Sequence, residues 1–368
     1  MKKIFFLAAS AIILAAGCQK TEVLNQVVPD GEPSMSYAPS MGKLTKAASQ
    51  AGLDTLRKQN FHLWAYYVAA DPNRVGANAN TIYDGMENIA VTYTPATDGN
   101  AGGWSTDPVH FWPGIEKKLK FFAVSANERI FTDIYTEGNI VPDVTESSEN
   151  YGGLTINSFV VDPTQPTSDL MVADYLEQDQ SNLDVALNFR HALSKVQILF
   201  RNDKADGNDA TTQVWVQHVE VKKIKNQGKL IVAKNSDNAK RFSWTPSGEA
   251  AFIADYVGTP SAATVNDPAD KASEYAINPT NSMKLPKDYT EYATWLVIPQ
   301  DLAGLNIEIV YVIGDRQFVA TFPLATTSVT AWQPNQYIKY NINLSPNIIG
   351  FDPTVEEWDS VDNPNINE

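Results

Sequence analysis

Phe61-His62-Leu63-Trp64-Ala65-Tyr66-Tyr67-Val68 is the stretch that decides the fold. Phe61, Leu63, Ala65 and Tyr67 form one alternating set, and His62, Trp64, Tyr66 and Val68 form the other. A period of two marks a β-strand. Apolar side chains in both sets predict a strand covered on both faces, inside a sandwich rather than on a sheet with one wet face. The same signature recurs downstream. Ile89–Tyr93 reads as a short strand, Leu119-Lys120-Phe121-Phe122-Ala123-Val124 as a central one rich in aromatics, and Gly152–Val161 as another. Asp98-Gly99-Asn100-Ala101-Gly102-Gly103 has the composition of a turn or loop.

The second half repeats the pattern. Val185, Leu187 and Phe189 alternate, as do Val196, Ile198 and Phe200. Val214, Val216, Val219 and Val221 alternate with a break at Gln217-His218, which predicts a bulge. Leu230-Ile231-Val232, Ala251-Phe252-Ile253 and Thr294–Ile298 follow as strands. Ile307–Ile313 continues through Gly314-Asp315 into Gln317–Phe322, the pattern of a β-hairpin on a tight turn. Tyr337–Leu344 is a half-buried strand near the end. Few windows show helical spacing; Ala47–Lys58, where Leu53 and Leu56 sit about one turn apart, reads as one short helix. Short strands separated by Gly, Asn, Asp and Pro predict an all-β protein. The polar run Asp174–Asp184 is the expected boundary between an N-terminal sandwich over 47–180 and a C-terminal one over 181–345, with an acidic tail over 346–368.

The N-terminus carries a different message. Lys2 and Lys3 precede an apolar run from Ile4 to Ala16, too short to span a bilayer as a helix. Leu14-Ala15-Ala16-Gly17-Cys18 follows, which is the layout of an export signal over residues 1–17. This stretch resembles a bacterial lipobox, in which the thiol is acylated and becomes the first residue of the mature chain. Cys18 is the expected lipid anchor. It is the only cysteine in 368 residues, so no intramolecular disulfide can form and stability rests on packing. Residues 18–46 read as a tether holding one short strand near Pro33–Ala38.

The formal charge of -15 and the lack of a basic stripe argue against nucleic acid as a partner. Chemistry has little support. The four histidines (His62, His110, His191, His218) have no metal-ligand spacing, and no metal or other cofactor is expected. The hydrolase elbow and the phosphate and dinucleotide cradles are missing from the sequence. Asn202–Asp209 resembles a calcium loop only superficially: Ala205 replaces a ligand and no Glu closes it, so a polar hairpin loop fits better. Glu356, Glu357 and Asp359 read as a solvated acidic tail rather than an acid/base pair. Trp104, Trp112, Trp215, Trp244, Trp295, Trp332 and Trp358 are candidate sugar platforms or core residues; exposed and coplanar rings would favour the first, buried rings the second.

Several segments in order carry a resemblance. They are the lipobox at Cys18, Phe111-Trp112-Pro113 followed by Leu119–Ala123, Asp169-Leu170-Met171-Val172-Ala173, Leu187-Asn188-Phe189-Arg190-His191-Ala192-Leu193-Ser194-Lys195-Val196, and the close from Tyr340–Leu344 to Trp358. Together they resemble the fimbrillin-like proteins of Bacteroidetes, the type V pilins with their tip and anchor relatives. The resemblance implies two transthyretin-like Greek-key β-sandwich domains in tandem and no enzymatic activity. It implies a lipoprotein held in the outer membrane by acyl chains on Cys18, facing outward and entering a fimbrium after processing. It implies a trypsin-like or arginine-specific surface protease that removes an N-terminal strand, whose place is then taken by a strand from the next subunit of a homo- or heteropolymer. A host receptor or glycan is the implied adhesion partner.

Lys46-Ala47 fits the cleavage place best, although the family offers arginine there and Arg57 is the first arginine of this chain. The cut therefore falls at Lys46, or elsewhere, or does not occur, in which case the chain would cap or root a fibre. Tyr337, Ile338, Tyr340, Ile342 and Leu344, with the tail to Trp358, are the strand-exchange candidates; the alternative is that Tyr337–Leu344 completes its own sandwich. Ile348, Ile349, Phe351 and Val355 are more apolar than a free tail needs, so a surface that buries them is expected. A glycan-binding lipoprotein of a polysaccharide importer is the competing function.

Overall fold

The structure, a computed structural model, describes residues 33–42, 46–72, 76–99, 101–127, 134–164, 169–205, 212–234, 241–256, 282–314, 316–346 and 349–358. Along these the chain runs β1 (Ser36–Tyr37), β2 (Ser40–Met41), the helix α1 (Lys46–Gln59), β3 (Phe61–Tyr67), β4 (Ile89–Thr94), β5 (Gly103–Ser105), β6 (Leu119–Ala126), β7 (Ile140–Pro142), β8 (Leu154–Val160), β9 (Leu170–Ala173), β10 (Leu176–Gln178), β11 (Asp184–Val185) and β12 (Asn188–His191). It continues as β13 (Ser194–Arg201), β14 (Val214–Ile224), β15 (Gln227–Val232), β16 (Phe242–Ser247), β17 (Ala250–Asp255), β18 (Met283–Lys284), β19 (Thr290–Val297), β20 (Asn306–Ile313), β21 (Arg316–Pro323), β22 (Gln336–Leu344) and β23 (Ile349–Glu357). Among the described residues the protein is all-β apart from α1.

The first sheet has the order β2-β12-β9-β6-β3-β4-β5, with β10 also on β6. Its central strands are covered on both faces, as the alternation in β3 predicts. Phe61, Leu63, Ala65 and Tyr67 face one apolar cluster, with Phe121, Ala123, Met171 and Phe189. Trp64 faces the other, with Phe122, Val124, Leu170 and Val172. All eight residues of β6 are buried, including Lys120, whose ammonium donates to Asn80 Oδ1 at 2.7 Å and to the Val144 carbonyl at 3.1 Å. Burial pulls the Lys120 ammonium below the usual lysine range.

A second sheet, β16-β15-β8-β7, joins the two halves of the chain, because β8 pairs antiparallel with β15. The remaining strands form two larger sheets, β19-β13-β22-β23 and β17-β14-β20-β21 with β18 on β14, and a two-stranded pair, β1-β11. The bulge expected at Gln217-His218 is a register shift between Val216 and His218 against β20. The expected hairpin pairs Ile313 with Arg316, with Gly314 at φ +62°. That conformation in so short a connection favours glycine.

The expected division at 180 does not coincide with a break in strand pairing. β12 lies beyond it yet sits between β2 and β9 in the first sheet. Arg241, on the later half, donates to the Ala173 carbonyl at 2.7 Å and pairs with Asp174. Burial pulls its guanidinium down to about 10. Residues 174–184 hold β10 and the turn that follows it.

Candidate functional site

The most distinctive local arrangement is the seat of residues 33–42. β1 pairs parallel with β11 as a two-stranded sheet and β2 pairs parallel with β12, so the segment ends on the edge of the first sheet. Parallel strands need a long connection, and here the partner lies far along the chain. Every second amide donates to this host: Ser36 N to Leu183 O at 3.1 Å, Ala38 N to Val185 O at 3.0 Å, Ser40 N to Leu187 O at 2.7 Å and Gly42 N to Phe189 O at 3.0 Å. On its other side Met35 N donates to His110 O at 2.8 Å, and Trp112 N donates to Pro33 O at 2.9 Å. The segment is thus a strand clamped from both sides near its start.

Its side chains alternate with the same period. Met35, Tyr37 and Met41 are buried, Pro39 is half-buried, and Ser34, Ser36, Ala38 and Ser40 face outward. The buried row enters a cluster with Trp112, Phe121, Val185, Leu187 and Phe189. Trp112 also donates its indole N–H to the Leu183 carbonyl at 3.3 Å, holding the floor of the groove to its β11 wall. Burial pushes the Tyr37 hydroxyl up to about 12, because a phenolate loses more hydration than the groove restores. The strand expected near Pro33–Ala38 is present here, and its continuation through β2 to Met41 has no sequence signal beyond Met41 itself.

The other expected residues fall in three places. Cys18 lies outside the described residues. Lys46 and Ala47 form the start of α1, just after the docked strand. Tyr337, Ile338, Tyr340, Ile342 and Leu344 are buried in β22, an inner strand with β13 parallel on one side and β23 antiparallel on the other. Tyr340 accepts the Trp332 indole N–H at 3.1 Å, and Tyr337 donates to Gln197 Oε1 at 2.6 Å. These five residues belong to the core of their own chain.

The tail is ordered beside them. β23 is the outer strand of its sheet, and Phe351 stacks on Tyr340 and on Phe322. Trp358 lies flat on His191, 3.9 Å between ring centroids, and His191 Nδ1 is 2.5 Å from Asp169 Oδ2. Glu356 pairs with Lys339 at 2.9 Å, and neighbours in a strand face opposite sides, so Glu356 and Glu357 do not converge. All eight tryptophans are described, and none is exposed: Trp64, Trp112, Trp295 and Trp332 are buried and the rest half-buried. No open aromatic platform is formed among them.

A family model described as fimbrillin-like matches residues 57–358. The chain belongs to the fimbrillin-like family. Among solved structures, this fimbrillin-like chain is similar to a fimbrial protein from Bacteroides vulgatus, with a TM-score of 0.53 and 16% identity, covering 88% of this chain and 99% of that one. It is also similar to a fimbrial assembly protein from Parabacteroides distasonis, with a TM-score of 0.39 and 13% identity, covering 88% of this chain and 99% of that one. No curated protein matches the fimbrillin-like chain. Among the described residues, no helix is long and apolar enough to cross a membrane, and no group of three or more His, Cys, Asp or Glu side chains is placed to hold a metal ion.

Proposed function

We propose that this protein is a non-enzymatic fimbrial subunit that acts in surface adhesion and assembles by strand exchange. In this reading the chain reaches the outer membrane as a lipoprotein acylated on Cys18. A surface protease with trypsin-like specificity then cuts at Lys46-Ala47 and releases residues 18–46. The vacated groove accepts a strand from another subunit.

The observation that carries the reading is the seat of residues 33–42. It is a short strand held by alternate backbone bonds, with three buried side chains, and its last bonded residue, Gly42, precedes the start of α1 at Lys46 by four positions. Its loss would leave unpaired carbonyls along β11–β12 and apolar pockets where Met35, Tyr37 and Met41 had been. An open strand edge of this kind is a template for an incoming strand. Contacts made this way run head to tail and propagate.

The test is limited trypsin digestion of the mature chain carrying Cys18→Ser, followed by N-terminal sequencing and electron microscopy. A new N-terminus at Ala47 with filaments or detergent-resistant ladders is the expected result. A monomer that keeps residues 33–42 after cleavage, or digestion that spares the 43–47 region, would remove the groove from the mechanism.

A further inference from the structure

Lys120 is the side chain of the first sheet that its surroundings explain least. It lies near the start of β6, is fully buried, and shares a face of the strand with Phe122 and Val124. A lone charge in such a place is costly unless it is paired. Its nitrogen is 2.7 Å from Asn80 Oδ1 and 3.1 Å from the Val144 carbonyl, whereas Glu146 Oε1 is 3.9 Å away, beyond hydrogen-bond range. The Glu177 carboxylate is taken by the hydroxyls of Tyr151, at 2.9 Å, and of Tyr175. A second ammonium, that of Lys234, lies over the same two tyrosine rings, 4.4 and 4.2 Å from their centroids. Burial is the main cause that draws the Lys120 ammonium below the usual lysine range; Glu146 and Glu177 oppose it, and Lys234 adds to it.

A buried lysine that sheds its proton is a nucleophile, and this one faces a carboxamide. A carbonyl C–O bond is about 1.2 Å long, so the Asn80 carbonyl carbon lies within about 4 Å of the Lys120 nitrogen. Reacting atoms in a near-attack geometry are about 3–3.5 Å apart, so a movement of roughly 1 Å or less brings the two together. Asn80 is held for it. Its N–H donates to the Tyr67 carbonyl at 2.9 Å, and its φ of +67° is a backbone conformation that asparagine tolerates. That conformation alone accounts for an asparagine at position 80. It does not account for a fully buried lysine set against its side chain.

We propose that Lys120 and Asn80 join through an isopeptide bond, with Glu146 carrying the protons. The neutral Lys120 Nζ attacks Asn80 Cγ. The Nζ–Cγ bond forms, the Cγ–Nδ2 bond breaks, and Nδ2 departs as ammonia. The protons that Nζ gives up pass by way of the Glu146 carboxylate to the leaving nitrogen, so an ammonium and a carboxamide become a secondary amide and an ammonium ion. The charge balances, and no oxidant, reductant or further reactant is needed. Glu146 is mostly exposed, which gives the departing ammonia and its proton a way to solvent. The product replaces a buried ammonium with a neutral amide and so removes the cost of the charge. It also ties the connection between β3 and β4 to β6, at the middle of the first sheet. A chain with one cysteine can form no disulfide within itself, and this bond is a cross-link that needs none. The proposal does not depend on what fills the N-terminal groove.

The test is the intact mass of the mature chain carrying Cys18→Ser, measured under denaturing conditions. The expected mass is that of the sequence less one ammonia. Exhaustive trypsin digestion should then leave Lys120 uncut and give one branched peptide, Val75–Lys117 joined to Leu119–Arg129. Asn80→Ala and Lys120→Arg should each return the full mass. Glu146→Gln should slow the joining roughly 100-fold, so that freshly purified protein is mostly at full mass. The wild-type measurement does not depend on whether any variant folds. A wild-type chain at its full sequence mass would overturn the proposal, as would an ammonia loss that persists in Asn80→Ala. Loss of one water instead would mean that Lys120 has joined a carboxylate, and the assignment to Asn80 would fall. Joining of Glu146→Gln as complete as in wild type would remove Glu146 from the reaction.

Discussion

Tyr37→Ala tests whether the N-terminal strand is a separable part of the fold. Tyr37 is 7% exposed, and its ring lies in the cluster with Trp112, Val185 and Phe189. Truncating a buried aromatic to alanine costs about 3–5 kcal/mol when the site does not collapse. The strand, however, sits on the rim of the sheet and can undock while β3, β6 and β9 stay paired. The loss should therefore appear first as opening of the strand. At 1.4 kcal/mol per factor of ten, about 3 kcal/mol is a fall of roughly 100-fold or more in amide protection. The amides to follow by hydrogen exchange are those of Ser36, Ala38, Ser40 and Gly42, which donate to the β11–β12 carbonyls. Amides of β6, at the centre of the same sheet, should change less than tenfold. Urea unfolding should then shift by less than the full side-chain cost, because the variant reaches a strand-open state that still folds. Equal loss of protection in β6 and in residues 36–42 would refute the reasoning: the strand would be part of one cooperative unit and could not be withdrawn without unfolding the sheet.

Four further outcomes follow from the same geometry. Burial favours the neutral Tyr37 phenol, so its contribution is complete below pH 10 and is lost as pH rises from 10 to about 12; wild type should lose about 2 kcal/mol relative to Tyr37→Phe by pH 11.5, read from urea midpoints of the two proteins. Trp358→Ala removes the ring stacked on His191 and should raise exchange at the β23 amides of Gly350, Asp352 and Thr354 about tenfold while leaving β13 unchanged. Pro353→Val restores an amide N–H on the free edge of β23 and should increase self-association of the uncut chain by light scattering. Gly153→Ala would drive a methyl group into the Val232 carbonyl, which β8 approaches too closely for any Cβ; several kcal/mol of lost stability is expected in urea unfolding.

A clear two-residue period makes a strand legible in the amino-acid sequence alone. β3, β4, β6, β8, β13, β20 and β22 fall where alternation places them, and the bulge at Gln217-His218 shows as a break in it. The strands that leave no such mark are those whose burial is settled by distant partners. β16 (Phe242–Ser247) has apolar rings only at Phe242 and Trp244, and it is a strand because β15 offers it an edge. β23 reads as acidic because Asp352, Glu356 and Glu357 outnumber its inward residues in charge. Its alternation emerges only with Phe351 stacked on Tyr340. The pairing of halves through β8 and β15 is invisible in the sequence for the same reason, since a polar run such as 174–184 looks alike whether it separates two units or turns within one. Part of the groove is readable, from Pro33 to Ala38. Its walls are not, because nothing in the sequence links residues 33–42 to the parallel partner at 183–189.

If a strand from another subunit makes the same backbone bonds and fills the pockets of Met35, Tyr37 and Met41, the resident N-terminal strand has little contact advantage over it. Its advantage is connection. A tethered strand meets its groove at an effective concentration in the millimolar range for a short linker, while a strand from a second copy arrives only at the concentration of the protein itself. Cutting at Lys46-Ala47 leaves every contact of residues 33–42 in place and removes that advantage alone. The released strand is then lost by dilution, whereas a strand from another subunit brings a whole folded body with further surface to bury. On this argument the rate of assembly after cleavage should fall when a peptide of residues 33–42 is added, and half-inhibition should come at a peptide concentration comparable to that of the subunit. A requirement for roughly a hundredfold excess, about 2.7 kcal/mol, would mean that the incoming strand makes better contacts than the resident one, and that the proteolytic step does more than cut a tether.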